Sequence, residues 1–281
     1  MRMEKAVAKI SGINYSYNPD ESYEKDGHIY CKKCNERLDG NLIEVLNQKF
    51  ISRNQCRCER EENERKKQRE ERQHIANLKE MCFISCIQYG YKLEDFYDKT
   101  SNAYIASKNY VENYQEMKRK NIGLLFYGTV GTGKSFLASA IANAVIETFK
   151  ERVLMRNLSQ IINDLQQGGF DLDKNKYIER LASVPLLILD DLGIERNTSY
   201  ALEQVYNVIN SRCLGSKPTI ITTNLPLEEI NNTESSFEYK RIYSRVLEMC
   251  VPVMVVGEDY RKQIAKEKIR EAKSLLLGME V

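Results

Sequence analysis

Apolar positions are spread unevenly along this chain. Residues 1–58 are polar and rich in turn formers. From Glu59 to Arg72 the sequence is almost entirely charge, six acidic and six basic side chains interrupted by Asn63 and Gln68. Glu61/Arg65 and Glu62/Lys66 stand four apart, which predicts a solvated helix without an apolar face, acting as a connector or, less simply, as a partner-binding helix. From about residue 81 short apolar runs alternate with amphipathic stretches. Ile122–Tyr127, Val153–Met155, Leu186–Leu189, Thr219–Thr222 and Val251–Val256 read as strands, and Phe136–Phe149 reads as a helix. Asn157 with Gln160 has the form of a capping box, opening a helix that should end near Gly168-Gly169. Strands separated by helices predict an α/β fold, a parallel five-stranded sheet with flanking helices, whose ligands bind at the carboxyl ends of the strands. The expected division is a module over 1–58, a charged helical linker over 59–80 and a larger domain over 81–281.

Composition narrows the classes. The 281 residues carry 42 Lys+Arg against 40 Asp+Glu, a net charge of +2, so nucleic-acid contacts must come from a local patch or pore and not from a global field. No apolar stretch is long enough to span a bilayer, and the opening MRMEKAVAKISG has no secretory apolar core. A cytoplasmic protein is expected. In that reducing setting the eight cysteines point to metal before disulfides.

The strongest chemical signal is GTVGTGKS, which fits G-x-x-x-x-G-K-[ST]. Gly128, Gly131 and Gly133 allow a loop whose N–H groups, with those of Thr129, Val130 and Thr132, surround a phosphate. Lys134 supplies a positive charge to the outer phosphates, Ser135 a hydroxyl for Mg²⁺, and Phe136 follows in the helix whose dipole meets the same anion. LLILDDLG then ends a strand in two carboxylates: Asp190 is expected to hold the magnesium and Asp191 to orient and deprotonate a water. In TIITTNL, Thr222, Thr223 and Asn224 should stand beside the terminal phosphate, with Asn224 bonding both phosphate and water. A ligand-free glycine turn, a capping acid pair and a plain turn asparagine are the unremarkable alternatives.

Cys31-x-x-Cys34 and Cys56-x-Cys58 flank 21 residues. Two close pairs on separate turns suit a tetrahedral thiolate zinc site, and Lys32, Lys33, Arg57 and Arg60 offset its negative charge. A redox pair is the rival, and His28 is an alternative fourth ligand. Cys82, Cys86, Cys213 and Cys250 lie in apolar contexts and are expected to be buried.

Taken in order, GTVGTGKS, LLILDDLG and TTNL resemble an AAA+ ATPase. The stretch GLLFYGTVGTGKSFLASAIAN, the paired aspartates and the later RIYSR and EDYR segments are similar to the bacterial DnaC/DnaI-type helicase loaders and their IstB-type transposition relatives, over about residues 90–262. The resemblance implies an ATPase using ATP, Mg²⁺ and Zn²⁺ and assembling into a ring or spiral. It implies an arginine finger acting on a neighbour, with Arg245 the first choice and Arg241 the second, and a nucleotide contact from Arg261. It implies single-stranded DNA in a central pore, where Tyr200 could stack on a base and Arg196 meet a phosphate. A cysteine module ahead of the ATPase resembles the DnaI layout, in which it docks on the replicative hexameric DNA helicase. A transposition helper acting on duplex DNA and a non-hydrolysing nucleotide switch are the competing functions.

Overall fold

The computed structural model describes residues 5–167, 173–193, 198–231 and 237–277, and the chain divides into the units Met1–Gln73 and His74–Val281.

The first unit is made of three antiparallel hairpins: β1 (Ala6–Ile10) with β2 (Ile13–Tyr17), β3 (Ser22–Lys25) with β4 (His28–Cys31), and β5 (Asp39–Val45) with β6 (Gln48–Arg53). Ser11-Gly12 and Asp26-Gly27 turn the first two in the left-handed conformation that matches strand twist. The core is small: Ala8, Ile10, Tyr15, Ile29 and Leu38 pack with the side chains of Cys31 and Cys56. Isolated two-stranded hairpins are marginal in water, so the cysteines lie where this unit has most need of a brace.

The charged stretch is helical as expected, from Arg57 to Cys82 (α1), with Lys66 and Glu70 paired at 4.0 Å, and the unit boundary falls inside it. The expectation of no apolar face holds only for its first part. Past His74 the composition changes, and Leu78 and Cys82, one turn apart, are buried.

In the second unit α2 (Asn102–Glu112) and α3 (Tyr114–Arg119) precede β7 (Gly123–Tyr127), α4 (Lys134–Phe149), β8 (Val153–Asn157) and α5 (Leu158–Gln167). Then come α6 (Lys174–Ser183), β9 (Leu186–Leu192), α7 (Ser199–Leu214), β10 (Thr219–Thr223) and α8 (Leu227–Ile230), followed by α9 (Phe237–Met249), β11 (Cys250–Met254) and α10 (Tyr260–Leu277). All five strands are parallel, in the order β11-β7-β10-β9-β8. Alternate residues of each strand feed opposite layers, as the period of two requires. Leu125, Leu187, Leu189 and Ile221 pack with α5, α6, α7 and α9, whereas Leu124, Phe126, Ile188 and Ile220 pack with α2 and α4. Pro252 sits in β11, an edge position where a missing donor is tolerated.

Several expected boundaries shift. β9 runs through Asp190 and Asp191 instead of stopping at Leu189, and β11 ends at Met254. The capping box does not close: Asn157 Oδ1 accepts from Ser159 N at 2.9 Å, but Gln160 donates to Asp164 at 2.7 Å and does not reach back. Gly168-Gly169 lies outside the described residues. Cys86 is exposed and Cys213 half-buried, so of the four cysteines expected in the core only Cys82 and Cys250 are there.

A fully buried arginine ties the lower edge of this sheet together. Arg212 donates to Thr219 Oγ1 and to the carbonyls of Ala182, Val184 and Pro218, which joins the end of α7 to the starts of β9 and β10. Burial pulls its guanidinium down to about 10.

Candidate functional site

At the carboxyl ends of β7, β9 and β10 a cleft of about 670 Å³ is lined by Lys134, Ser135, Asp191, Asn224, Tyr260 and Arg261, with Gly131, Gly133 and Phe136 on one wall. Gly128, Gly131 and Gly133 have φ of 138°, 83° and 90°, a backbone nearly closed to other residues. Such a loop followed by the 16-residue α4 can turn consecutive N–H groups and a helix dipole onto one anion. Thr132 Oγ1 closes it by donating to Thr129 O at 2.9 Å. Lys134 is buried and lies along the loop, donating to Gly128 O (2.9 Å) and Thr129 O (2.6 Å). Burial lowers its pKa, while Asp191 and Asp190 raise it and Arg261 opposes them. The cradle therefore fits a phosphate chain.

Asp190 Oδ1 accepts two hydroxyls, from Ser135 at 2.8 Å and from Thr222 at 2.6 Å. Burial pushes this carboxyl's pKa up; Thr222 and Ser135 pull it back, and Asp191 adds to the rise. A hydroxyl and a carboxylate are the hard oxygen donors that Mg²⁺ prefers, so the pair Ser135/Asp190 fits that ion.

Asp191 takes the left-handed conformation at φ 62°, which turns its side chain into the cleft. Its N–H donates to Thr222 Oγ1 at 3.0 Å, and its Oδ2 accepts from Asn157 Nδ2 at 3.0 Å. Asn224 lines the cleft as expected, but Thr223 does not: it is buried and donates to Leu192 O at 2.7 Å. In a strand, Thr222 and Thr223 must face opposite ways.

Arg245 and Arg241 lie elsewhere, on α9. With Tyr206, Lys240 and Ser244 they line a separate open depression of about 540 Å³. Arg245 is paired with Glu248 at 2.7 Å; Arg241 is stacked 3.9 Å above the Tyr206 ring. Neither lines the cleft of its own chain. Tyr200 is half-buried: its hydroxyl donates to Leu165 O at 3.2 Å, and Lys174 lies 5.2 Å from its ring. Arg196 is outside the described residues.

Two contributors were not read from sequence. Asn157 was read as a helix cap, yet β8 lies beside β9 in register with Asp190, and its amide holds Asp191. The segment after β11 folds back over the loop: Tyr260 N donates to Gly131 O at 3.1 Å, and Tyr97 stacks on Tyr260 and donates to Val256 O. Only the strand order could have revealed the first; of the second, the resemblance pointed to Arg261 in EDYR, and the fold-back over the loop shows only in the tertiary structure.

In the first unit the four sulfurs of Cys31, Cys34, Cys56 and Cys58 lie within 4.8 Å of one another. Hydrogen bonding from the backbone at Glu36 holds Cys34 down at about 7, while its bond to Cys34 pushes Cys58 up to about 11. Four clustered thiols suit the soft, tetrahedral demand of Zn²⁺. His28 is not among them; its Nδ1 is 2.8 Å from Asp39 Oδ2, and Arg37 meets the same carboxylate at 2.7 Å. Among the described residues no helix is long and apolar enough to cross a membrane.

Comparison with known proteins agrees with this geometry. The chain is 30% identical over 178 residues to the phage-like element PBSX protein XkdC of Bacillus subtilis, covering 60% of this chain and 64% of that protein. It is 25% identical over 162 residues to the replicative helicase loader DnaI of the same organism, covering 54% and 51%. The chain thus spans between half and two-thirds of these curated relatives' length. The crystal structure of the DnaC helicase loader superposes with a TM-score of 0.54 at 25% identity, over 61% of this chain and all of that one. The second unit is an AAA+ fold. The profile of the IstB-like ATP binding protein family matches residues 47–268, and the chain belongs to that family.

Proposed function

We propose that this chain is an ATP-hydrolysing loader of the replicative hexameric DNA helicase, made of a zinc-binding module over 1–58, a helical linker over 59–80 and an ATPase domain over 81–281. The observation that carries this reading is the four-cysteine cluster placed ahead of a nucleotide cleft whose relatives include proteins named as replicative helicase loaders. Lys134 and the loop from Gly128 to Ser135 bind and orient the triphosphate of ATP. Ser135 and Asp190 hold Mg²⁺, which when bound neutralises phosphate charge. Asp191 takes the proton of the attacking water, and Asn157 holds it in place until then. Asn224 aligns water and terminal phosphate, and Arg261 meets the nucleotide from α10. Arg245, with Arg241 as its stacked neighbour, enters the cleft of the next subunit in a ring or spiral, where its fixed fork stabilises developing charge. Tyr200 stacks on a base of single-stranded DNA and Arg196 meets its phosphate, and the site of action is the cytoplasm.

Co-purification of the full, zinc-loaded chain with a purified hexameric replicative helicase tests this. The expected result is a complex that is lost when the Cys31 and Cys34 thiols are removed together. A chain that hydrolyses ATP but binds no such helicase would end the loader assignment. The family profile supports a second reading, a transposition helper: it predicts ATP-dependent assembly on duplex DNA that survives deletion of residues 1–80.

A further inference from the structure

A carboxylate belongs to the rim of the phosphate loop, although no motif contains it. Asp259 precedes α10 and accepts from Arg261 N at 3.1 Å, which by itself would be an ordinary helix cap. Its other surroundings are not ordinary. A Cβ placed at Gly131 would meet Asp259 Oδ1 at 2.0 Å and its Cα at 3.0 Å, so the acid rests directly on a glycine of the cradle. The contact is held from both sides. Val255 N bonds Tyr127 O at 2.8 Å, and Tyr260 N bonds Gly131 O at 3.1 Å. Tyr97 donates to Val256 O at 3.0 Å and stacks on Tyr260 at 5.8 Å between centroids. Contacts at Val255, Val256 and Tyr260 thereby pin both ends of a six-residue crossing of the loop, and the carboxylate stands next to the last of them.

From this geometry we infer that Asp259 is a specificity-determining residue of the nucleotide cleft, setting its preference for metal-complexed over metal-free nucleotide. The inference rests on the cleft being a nucleotide site. Asp191, Lys134 and Arg261 line the cleft, Asp190 is bonded to Ser135, and Asp259 stands at the rim against Gly131. Asp190 has a metal to hold and Asp191 a water to activate; Asp259 has neither, and besides capping α10 it adds a negative charge at the rim. Repulsion from a fixed charge grows with ligand charge. Free ATP carries about two more negative charges than its magnesium complex, so it meets the larger penalty. The carboxylate admits the form on which hydrolysis can proceed and disfavours the unproductive one.

The test is equilibrium binding of a fluorescent ATP analogue to the full, zinc-loaded chain, in magnesium-free buffer without chelator and at saturating magnesium. Asp259→Asn keeps an oxygen for the helix cap and removes only charge. It is expected to tighten metal-free binding about tenfold and magnesium-complex binding about threefold, with the difference fading as salt rises. Asp259→Glu is expected to keep the wild-type ratio. Equal changes for both ligand forms, or none, would overturn the inference while leaving the nucleotide site intact. A wild-type chain that binds neither form overturns the site itself, and this inference with it.

Discussion

The two candidate sites are put together by opposite means. The cysteine cluster is local: its four sulfurs come from two short turns within a 28-residue span, around a core of five apolar side chains and two of the cysteines themselves. The nucleotide cleft is assembled from strand ends, with β7, β9, β10 and β8 each supplying one element, and beneath it two large apolar layers hold the strands in register. Loaded with zinc as proposed, the first site would support the fold around it; the second is supported by its fold. A small unit buries proportionately little apolar surface and is marginal, and a bound metal would add free energy to it.

The widest expected contrast follows from removing zinc. Binding of structural zinc contributes on the order of 10 kcal/mol or more, so a chelator should release the first unit's amides to rapid hydrogen exchange and leave the second unit's protection and ATP binding unchanged. Equal loss in both units would erase the contrast. Next in size, Arg245→Ala is expected to lower ATP turnover about a thousandfold and leave the dissociation constant within about twofold. Mixing it with Asp191→Asn subunits should restore part of the activity if sites are shared, and turnover unaffected by the substitution would remove Arg245 from the chemistry. Lys134→Ala should weaken ATP binding by about a hundredfold, since a buried ammonium facing phosphates makes more than one charge-assisted bond; calorimetry reads this directly.

The smallest effect sharpens the account of the first unit. Asp39 is almost fully buried and gathers His28, Arg37 and the N–H of Ile29. Burial alone would raise its pKa, but Arg37, Ile29 and His28 outweigh it and hold the carboxyl below the usual aspartate range. A depressed acid stabilises the folded state above the unfolded-state pKa, and that contribution disappears as pH falls through the lowered folded value. Asp39→Asn should therefore cost about 2 kcal/mol near neutrality, and the gap from wild type should close on acidification. A gap that stays constant with pH would assign the loss to packing.

Local chemistry was the legible part. A loop that must take left-handed φ at three places needs glycines there, and the adjoining lysine and serine follow from what a phosphate and a metal require, so GTVGTGKS declares itself in eight consecutive residues. The cysteine pairs, the order of strands and helices and the charged helix are likewise properties of neighbours along the chain. Thr223 was misjudged because alternation along a strand decides which threonine meets Asp190, and the exact strand register was needed to see it. The role of Asn157 depended on β8 lying beside β9.

By itself, then, the sequence determined the kind of chemistry and the segments that carry it, because backbone conformation and ligand preference are set over a few residues. Which distant side chains meet was decided by tertiary structure alone. Asn157 reaches Asp191, Asp259 rests on Gly131, Arg212 ties three elements, and Arg245 stays clear of its own cleft, because the packing of two apolar layers on one parallel sheet fixes those distances.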